Sequence, residues 1–303
     1  MNPSTLYVIS VISNPVRYKS RVRLFKEFME RTEKSGATHI IIEATFGERE
    51  PSVADPTNPK HIIVRCDEEI WLKENLINVA VSKLPPDWKY VMWLDGDVEF
   101  VRKDWVMETL HALQHYDVVQ PFSHAIDLGP NAETMKTATG FAFCHNTGQK
   151  IGDKSMYGYA HPGYCGAMTR EAWETVGGMF DMGILGAGDD HMWKSLIGKP
   201  ELSMPPGIHP NYVHAVNQWA ERAAKLQQNI GHVSGTILHY FHGAKKNRNY
   251  WGRWDVLKDA NFDPYSDIYK DSQGLWRLKG NKPGLRDGLR NYFRERHEDT
   301  IVE

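Results

Sequence analysis

The sequence predicts an α/β protein with a mostly parallel central sheet and helices on both faces. Three observations carry this. Short apolar, β-branched runs alternate with stretches of a dozen or more residues at helical spacing. Turn and breaker residues punctuate the boundaries between them. The chain has 303 residues, 41% hydrophobic and 24% charged, so a substantial core can be buried, and no shift in composition forces a split.

Taken in order, residues 6–12 read as a strand and Ser13-Asn14-Pro15 as a turn. Val22, Phe25, Phe28 and Met29 then recur at helical spacing. Residues 38–44 and 61–65 are further strands, and 70–81 is an apolar-periodic helix ended before Pro85-Pro86. Residues 90–94 form the next strand. Asp104 is placed to cap a helix whose Val106, Leu110 and Leu113 face inward, and 117–120 is another short strand. Beyond Pro121 the texture changes to glycine-rich connections, the kind of loop in which specificity is built on a sheet scaffold. The last forty or so residues are polar and aromatic with little periodicity, and are expected to wrap the core and fray from Glu298 onward. The expected division is a nucleotide-binding half, 1–120, an acceptor-binding and catalytic half of the same domain, 121–250, and an extension, 251–303.

A formal charge of −2 excludes an overall basic field of the kind that drives general nucleic-acid affinity. A local exception is 245–296, where Lys and Arg interleave with Tyr250, Trp251, Trp254, Trp276, Tyr292 and Phe293. Three scattered cysteines, Cys66, Cys144 and Cys165, make neither a disulfide framework nor a cysteine zinc site and fit a reducing compartment. The first residues lack a basic n-region, and no window approaches the roughly 20 apolar residues of a membrane span. A soluble cytoplasmic protein is expected, in the host cytoplasm if the chain is virus-encoded; its oligomeric state is not legible.

The strand at 90–94 runs into Asp95-Gly96-Asp97, after which apolar residues resume. An acidic pair delivered by a buried strand to the carboxyl edge of an open sheet lies where ligands gather in such folds. Hard cations such as Mg²⁺ and Mn²⁺ take carboxylate oxygens together with substrate phosphates, so the pair predicts a metal–diphosphate site. Asp-Gly by itself is also a common turn dipeptide.

Three more features join it: the polar Lys73-Glu74-Asn75 and Asn78 on an otherwise buried helix, Gly186-Ala187-Gly188-Asp189-Asp190-His191-Met192-Trp193, and His239-Tyr240-Phe241-His242-Gly243. In this order they resemble the GT-A class of nucleotide-sugar-dependent glycosyltransferases over roughly residues 5 to 250. The chain is most similar to inverting enzymes related to β-1,4-galactosyltransferases and family 2 enzymes, since Gly177-Gly178-Met179-Phe180 precedes the glycine-flanked pair Gly188-Asp189-Asp190. The resemblance implies a single Rossmann-like GT-A domain with a loop-rich acceptor half, Mn²⁺ or Mg²⁺, and a nucleoside-diphosphate sugar donor, UDP-sugar foremost. It implies Asp97, His242 and Asp95 as metal ligands, with Asp95 also near the ribose or a metal-bound water.

Chemistry sets further roles. A departing diphosphate needs its charge neutralised, and an attacking hydroxyl needs a carboxylate base. Asp190 is the expected base and Asp189 the holder of an acceptor hydroxyl, although spacing does not reveal which titrates last. Asn14, Arg17, Tyr18 and Glu43 lie by topology where base and ribose would be held, and Lys73 and Asn75 either brace the strand or touch the donor. Trp193, Trp173, Tyr157, Tyr159, Tyr164 and Gly188 are placed at the acceptor. That acceptor is a glycan, a small molecule or a hydroxymethylated DNA base. Three competitors share these features: a retaining GT-A transferase, a sugar nucleotidyltransferase, and a non-catalytic carbohydrate- or nucleic-acid-binding module. Ser13-Asn14-Pro15-Val16-Arg17 is not the glycine-rich phosphate loop the second would need.

Overall fold

The computed structural model describes residues 1–149, 151, 160–249 and 252–300. In chain order its main elements are β1 (Leu6–Ser13), α1 (Lys19–Thr32), β2 (Thr38–Phe46), β3 (His61–Cys66), α2 (Lys73–Val81), β4 (Tyr90–Leu94), β5 (Val98–Phe100), α3 (Trp105–Ala112) and β6 (Val118–Gln120). There follow β7 (His124–Leu128), β8 (Thr134–Gly140), α4 (Phe141–Asn146), β9 (Ala160–His161), β10 (Cys165–Thr169), α5 (Arg170–Val176), α6 (Gly188–Leu196) and α7 (Pro210–Ala223). The remainder comprises β11 (Ile230–His232), β12 (Thr236–His239), α8 (Arg253–Asp259), β13 (Ile268–Lys270), β14 (Trp276–Leu278) and α9 (Pro283–Glu295).

A seven-stranded sheet in the order β11-β6-β10-β4-β1-β2-β3 forms the centre. β1, β2, β3 and β4 pair in parallel, as do β6 and β11, whereas β10 runs antiparallel between β4 and β6. The expected α/β architecture with a mostly parallel sheet is present. Both faces are covered, which is why β1 and β4 read as continuous apolar runs. Ile9, Val91 and Trp93 join one core with Leu76, Ala172 and Trp219. Leu6, Val8, Met92 and Leu94 join the other with Phe25, Phe28 and Leu110.

A second, five-stranded sheet in the order β5-β12-β7-β8-β9 lies beyond the end of β4. Its second strand, β12, pairs antiparallel with β5 and parallel with β7, so His239 lies opposite Val98 on one side and Asp127 on the other. This register sets the site.

Three local expectations are corrected. Asp104 precedes α3 but makes no side-chain cap; its carboxylate is taken by Arg102 at 2.7 and 2.9 Å. The stretch after residue 280 is not aperiodic: α9 buries Leu285, Leu289, Tyr292 and Phe293, one face of a 3.6-residue repeat. Glu298 is not frayed, since its side chain is buried against α1; residues 301–303 lie outside the described residues. No helix among the described residues is long and apolar enough to cross a membrane.

Candidate metal centre and acidic cleft

The turn after β4 sends its two aspartates to different surroundings. Asp97 immediately precedes β5, and its carbonyl accepts the Tyr240 N–H at 2.9 Å, which ties the turn to the segment following β12. Its Oδ2 lies 2.9 Å from His242 Nε2 and 3.7 Å from His239 Nε2. One ligand atom from each of Asp97, His239 and His242 lies within 4.8 Å of the others, a grouping that could hold a metal ion. Burial alone would raise the Asp97 carboxyl, but His239 and His242 outweigh it and hold Asp97 well below the usual carboxylate range.

The donor set fits a divalent cation. His242 Nε2 stands 2.9 Å from both Arg248 Nη2 and Asp97 Oδ2, so the ring tautomer decides whether it accepts from the guanidinium or donates to the carboxylate. A cation bound by Nε2 and Asp97 Oδ2 would take the place of these contacts. Asp97 Oδ1 is also buried without a hydrogen-bond partner among the described residues. Two imidazoles and a carboxylate suit Mn²⁺ and its transition-metal neighbours better than Mg²⁺, which prefers oxygen throughout.

Both histidines have a carboxylate behind them. Asp127 Oδ1 accepts from His239 Nδ1 at 2.9 Å and from Tyr164 Oη at 2.8 Å. Glu298 Oε2 lies 3.5 Å from His242 Nδ1. Such partners fix the tautomer and the ring plane of a ligating histidine. A cavity of about 320 Å³ adjoins the cluster, lined by Asp127, Lys136, His239, Phe241, His242 and Arg248 among others.

Asp95 faces the other way. Its carboxylate pairs with Lys73, at the start of α2, and its backbone N–H donates to Tyr164 O at 2.9 Å. Burial raises its carboxyl; Lys73 only partly offsets this, and Asp97 adds to it. Asp95 therefore does not join the metal cluster, contrary to the expectation that it would be a ligand. His239, not assigned as a ligand from sequence, takes that place.

Lys73 collects charge. Burial would lower its ammonium, but Asp95, Asp189 and Glu74 together raise it. Glu74 is buried beside it, and its Oε2 accepts from Trp71 Nε1 at 2.9 Å. Burial above all, with Lys73 opposing and Asp189 adding, pushes its carboxyl up to about 7.

The α6 pair also splits. Asp190 Oδ2 accepts from Lys194 Nζ at 2.7 Å, one turn along the helix, and Lys194 also reaches Leu202 O. Burial raises Asp190, opposed chiefly by Lys194, with Asp189 adding and Arg253 opposing. Asp189 is the member within electrostatic reach of Lys73, Asp95 and Glu74. Its Oδ2 stands 2.9 Å from where a Cβ on Gly163 would be, one residue before Tyr164.

Several expected contacts are reassigned. Trp193 is 1% exposed, packed against Phe141 within the larger core, and cannot face an acceptor. Trp173 likewise belongs to that core. Tyr164 is buried, stacked on His161 and spent on Asp127. A Cβ at Gly188 would sit 2.6 Å from Glu74 Cγ, so this glycine permits α6 to start against α2. Asn75 is saturated by Asp181, Gly274 O and the Trp276 N–H, and Asn78 by Met179 and Asp181; both brace α2. Glu43 accepts the N–H groups of Ser52, Val53 and Ala54 together with the Ser52 hydroxyl. Asn14 closes a turn on both backbone groups of Tyr18. Asn14, Arg17 and Glu43 nonetheless line one groove of about 770 Å³ beyond β1 and β2. Tyr157 and Tyr159 lie outside the described residues.

No family model matches the chain, and no curated protein matches it. Among solved structures the chain is similar to the catalytic domain of Drosophila β1,4-galactosyltransferase 7 in complex with xylobiose. That likeness has 11% identity and a TM-score of 0.40 over 92% of this chain and 98% of that one. A mutant of the same domain, in complex with manganese, UDP-Gal and xylobiose, gives 11% and 0.43 over the same shares. A protein named as a nucleotide-diphospho-sugar transferase from Desulfovibrio desulfuricans gives 12% and 0.34 over 95% of this chain and 98% of that one. At such scores the superpositions are loose, and the chemistry rests on the chain's own residues.

Proposed function

We propose that the protein is a metal-dependent glycosyltransferase that moves a sugar from a nucleoside-diphosphate sugar, with UDP-sugars the leading donors, to a hydroxyl of a glycan or small molecule. The observation that carries this reading is the Asp97–His239–His242 cluster, separated by a single glycine from the Asp95–Lys73 pair and its neighbour Asp189. A divalent cation held by Asp97, His239 and His242 would supply Lewis-acid neutralisation of the leaving diphosphate. Lys136 and Arg248, at the rim of the adjoining cavity, add positive charge on the donor side.

On the acceptor side we assign the general base to Asp189 and not Asp190. Asp189 acts on Lys73 and Asp95 beside the turn after β4, whereas Asp190 is bound by Lys194. Lys73 holds Asp95 and keeps like charges from crowding Asp189. One base on the acceptor face suits direct displacement with inversion, a step in which such a base contributes roughly 100- to 10,000-fold. Modified DNA is the weaker acceptor. The described basic side chains of the basic, aromatic stretch largely pair within the chain: Arg277 with Glu68 and Asp271, Lys282 with Asp267, Arg294 with Glu69 and Arg296 with Glu298.

The test is a donor screen with Mn²⁺, Mg²⁺ or chelator that follows release of nucleoside diphosphate by wild type and Asp97→Ala. Metal-dependent release from one donor, lost in the variant, is the expected result, and NMR of the product then assigns the anomer. Silence with every donor, in the presence of a panel of glycan acceptors, would end the reading.

A further inference from the structure

Residues 296–300 thread between the start of α1 and the loop that carries His242. The N-cap position of α1, Tyr18, makes no side-chain cap, and the first N–H groups of a helix need acceptors from elsewhere. Asp299 supplies them: its two carboxylate oxygens accept from Lys19 N at 2.9 Å and Ser20 N at 2.7 Å. Tyr18 Oη donates to the carbonyls of Phe293 and Arg294 and accepts the His297 N–H, while Ser20 Oγ donates to Glu298 O.

Between these anchors Glu298 points inward. Its side chain is 1% exposed, and Arg21 of α1 grips it through Nε and through Nη2, the latter at 2.8 Å, while Arg296 binds Oε1. Two guanidiniums thus hold the carboxylate toward His242, whose Nδ1 is buried, stands 3.5 Å from Glu298 Oε2 and has no hydrogen-bond partner among the described residues. The fit is close on the other side too. Gly243 has φ +88, and a Cβ there would lie 2.8 Å from Glu298 Cα.

We propose that residues 296–299 form a clasp that positions His242 for the metal, so that metal binding and docking of this segment on α1 are coupled. The inference rests on the metal reading given above. With the Glu298 carboxylate held 3.5 Å behind it, Nδ1 is the nitrogen where a proton is favoured and Nε2 stays turned to Asp97 as a ligand. With the segment undocked, the ring has no fixed partner on that side. Linkage makes the effect reciprocal: whatever factor docking adds to metal affinity, metal adds to docking. Partners of this kind are worth about 10- to 100-fold in metal affinity.

The experiment measures hydrogen exchange at residues 296–300 with and without Mn²⁺, and Mn²⁺ affinity by electron paramagnetic resonance, for wild type, Glu298→Gln, Asp299→Ala and His239→Ala. Mn²⁺ should slow exchange in this segment of wild type and fail to do so in His239→Ala. Glu298→Gln should weaken Mn²⁺ by about 10- to 100-fold. Asp299→Ala, which touches no ligand, should weaken it several-fold through docking alone. If Glu298→Gln does not fold, the wild-type exchange and Asp299→Ala decide. Wild type that binds Mn²⁺ without any change in exchange, together with unaltered affinity in Asp299→Ala, would overturn the clasp and leave the metal centre standing. Wild type that binds no Mn²⁺ would overturn the metal centre itself.

Discussion

Asp95 and Asp97 stand one glycine apart on the same turn, yet their environments are opposite in electrostatic character. Asp97 meets two imidazoles and sits well below the usual carboxylate range; Asp95 meets an ammonium in a cluster of acids, and burial raises it. A turn reverses the direction of successive side chains, and two different sheets and helices receive them. The difference teaches that an acidic pair is not one site. One half belongs to the five-stranded sheet, where the β12 register brings His239 beside Asp127. The other belongs to the junction of α2 and α6, where Lys73 is shared by Asp95, Asp189 and Glu74.

The division can be broken most sharply on the acid side. Asp189→Asn should lower kcat by roughly 100- to 10,000-fold with donor affinity retained, while Asp190→Asn, which loses only the Lys194 bridge, costs less than about tenfold. Equal losses would mean that the pair acts as a unit. Next, Asp97→Asn should weaken Mn²⁺ by more than the roughly 100-fold that outer partners are worth, whereas Asp95→Asn should change it only a few-fold. Calorimetric titration reads both, and a large loss in Asp95→Asn would place that residue on the metal.

The raised carboxyl of Glu74 gives a pH signature confined to the lysine side. A carboxylic acid whose folded value lies near 7, against an ordinary 4.5, holds its proton more tightly when folded. Its contribution is therefore full below pH 4.5 and is lost as pH rises toward 7, by about 3 kcal/mol at most. Glu74→Gln keeps a neutral acceptor for Trp71, so its stability advantage over wild type should grow between pH 5 and 8 in urea unfolding. A pH-independent difference would refute the shift. The smallest effect is expected at Asp127→Asn, which turns the partner of His239 into a weaker acceptor. Mn²⁺ affinity should fall about tenfold with little change in melting temperature.

The sequence alone went far with local chemistry. Apolar runs at 6–12, 38–44 and 90–94 became β1, β2 and β4, because strands buried on both faces must be apolar throughout. The Asp95-Gly96-Asp97 turn and its place at a carboxyl sheet edge were legible for the same reason, whereas His242 was placed near it only by the resemblance to GT-A enzymes. By contrast, α9 was missed although Leu285, Leu289, Tyr292 and Phe293 carry its period, since intervening Arg and Gly residues diluted the signal. The aromatic residues assigned to the acceptor misled, because a tryptophan at helical spacing reads alike whether it lines a core or a cleft; burial assigns Trp193 to the core.

What tertiary structure alone decided is which polar groups meet. His239 joined the candidate metal cluster through the pairing of β12 with β5 and β7, Asp127 came beside it through the same register, and Glu298 through a segment more than fifty positions away in the chain. The sequence determined which chemistries were present and where strands would deliver them, because hydrophobic period and turn chemistry act over a few residues. Partnership among charges acts across space, with strength set by burial and distance, and neither quantity exists until the chain has folded.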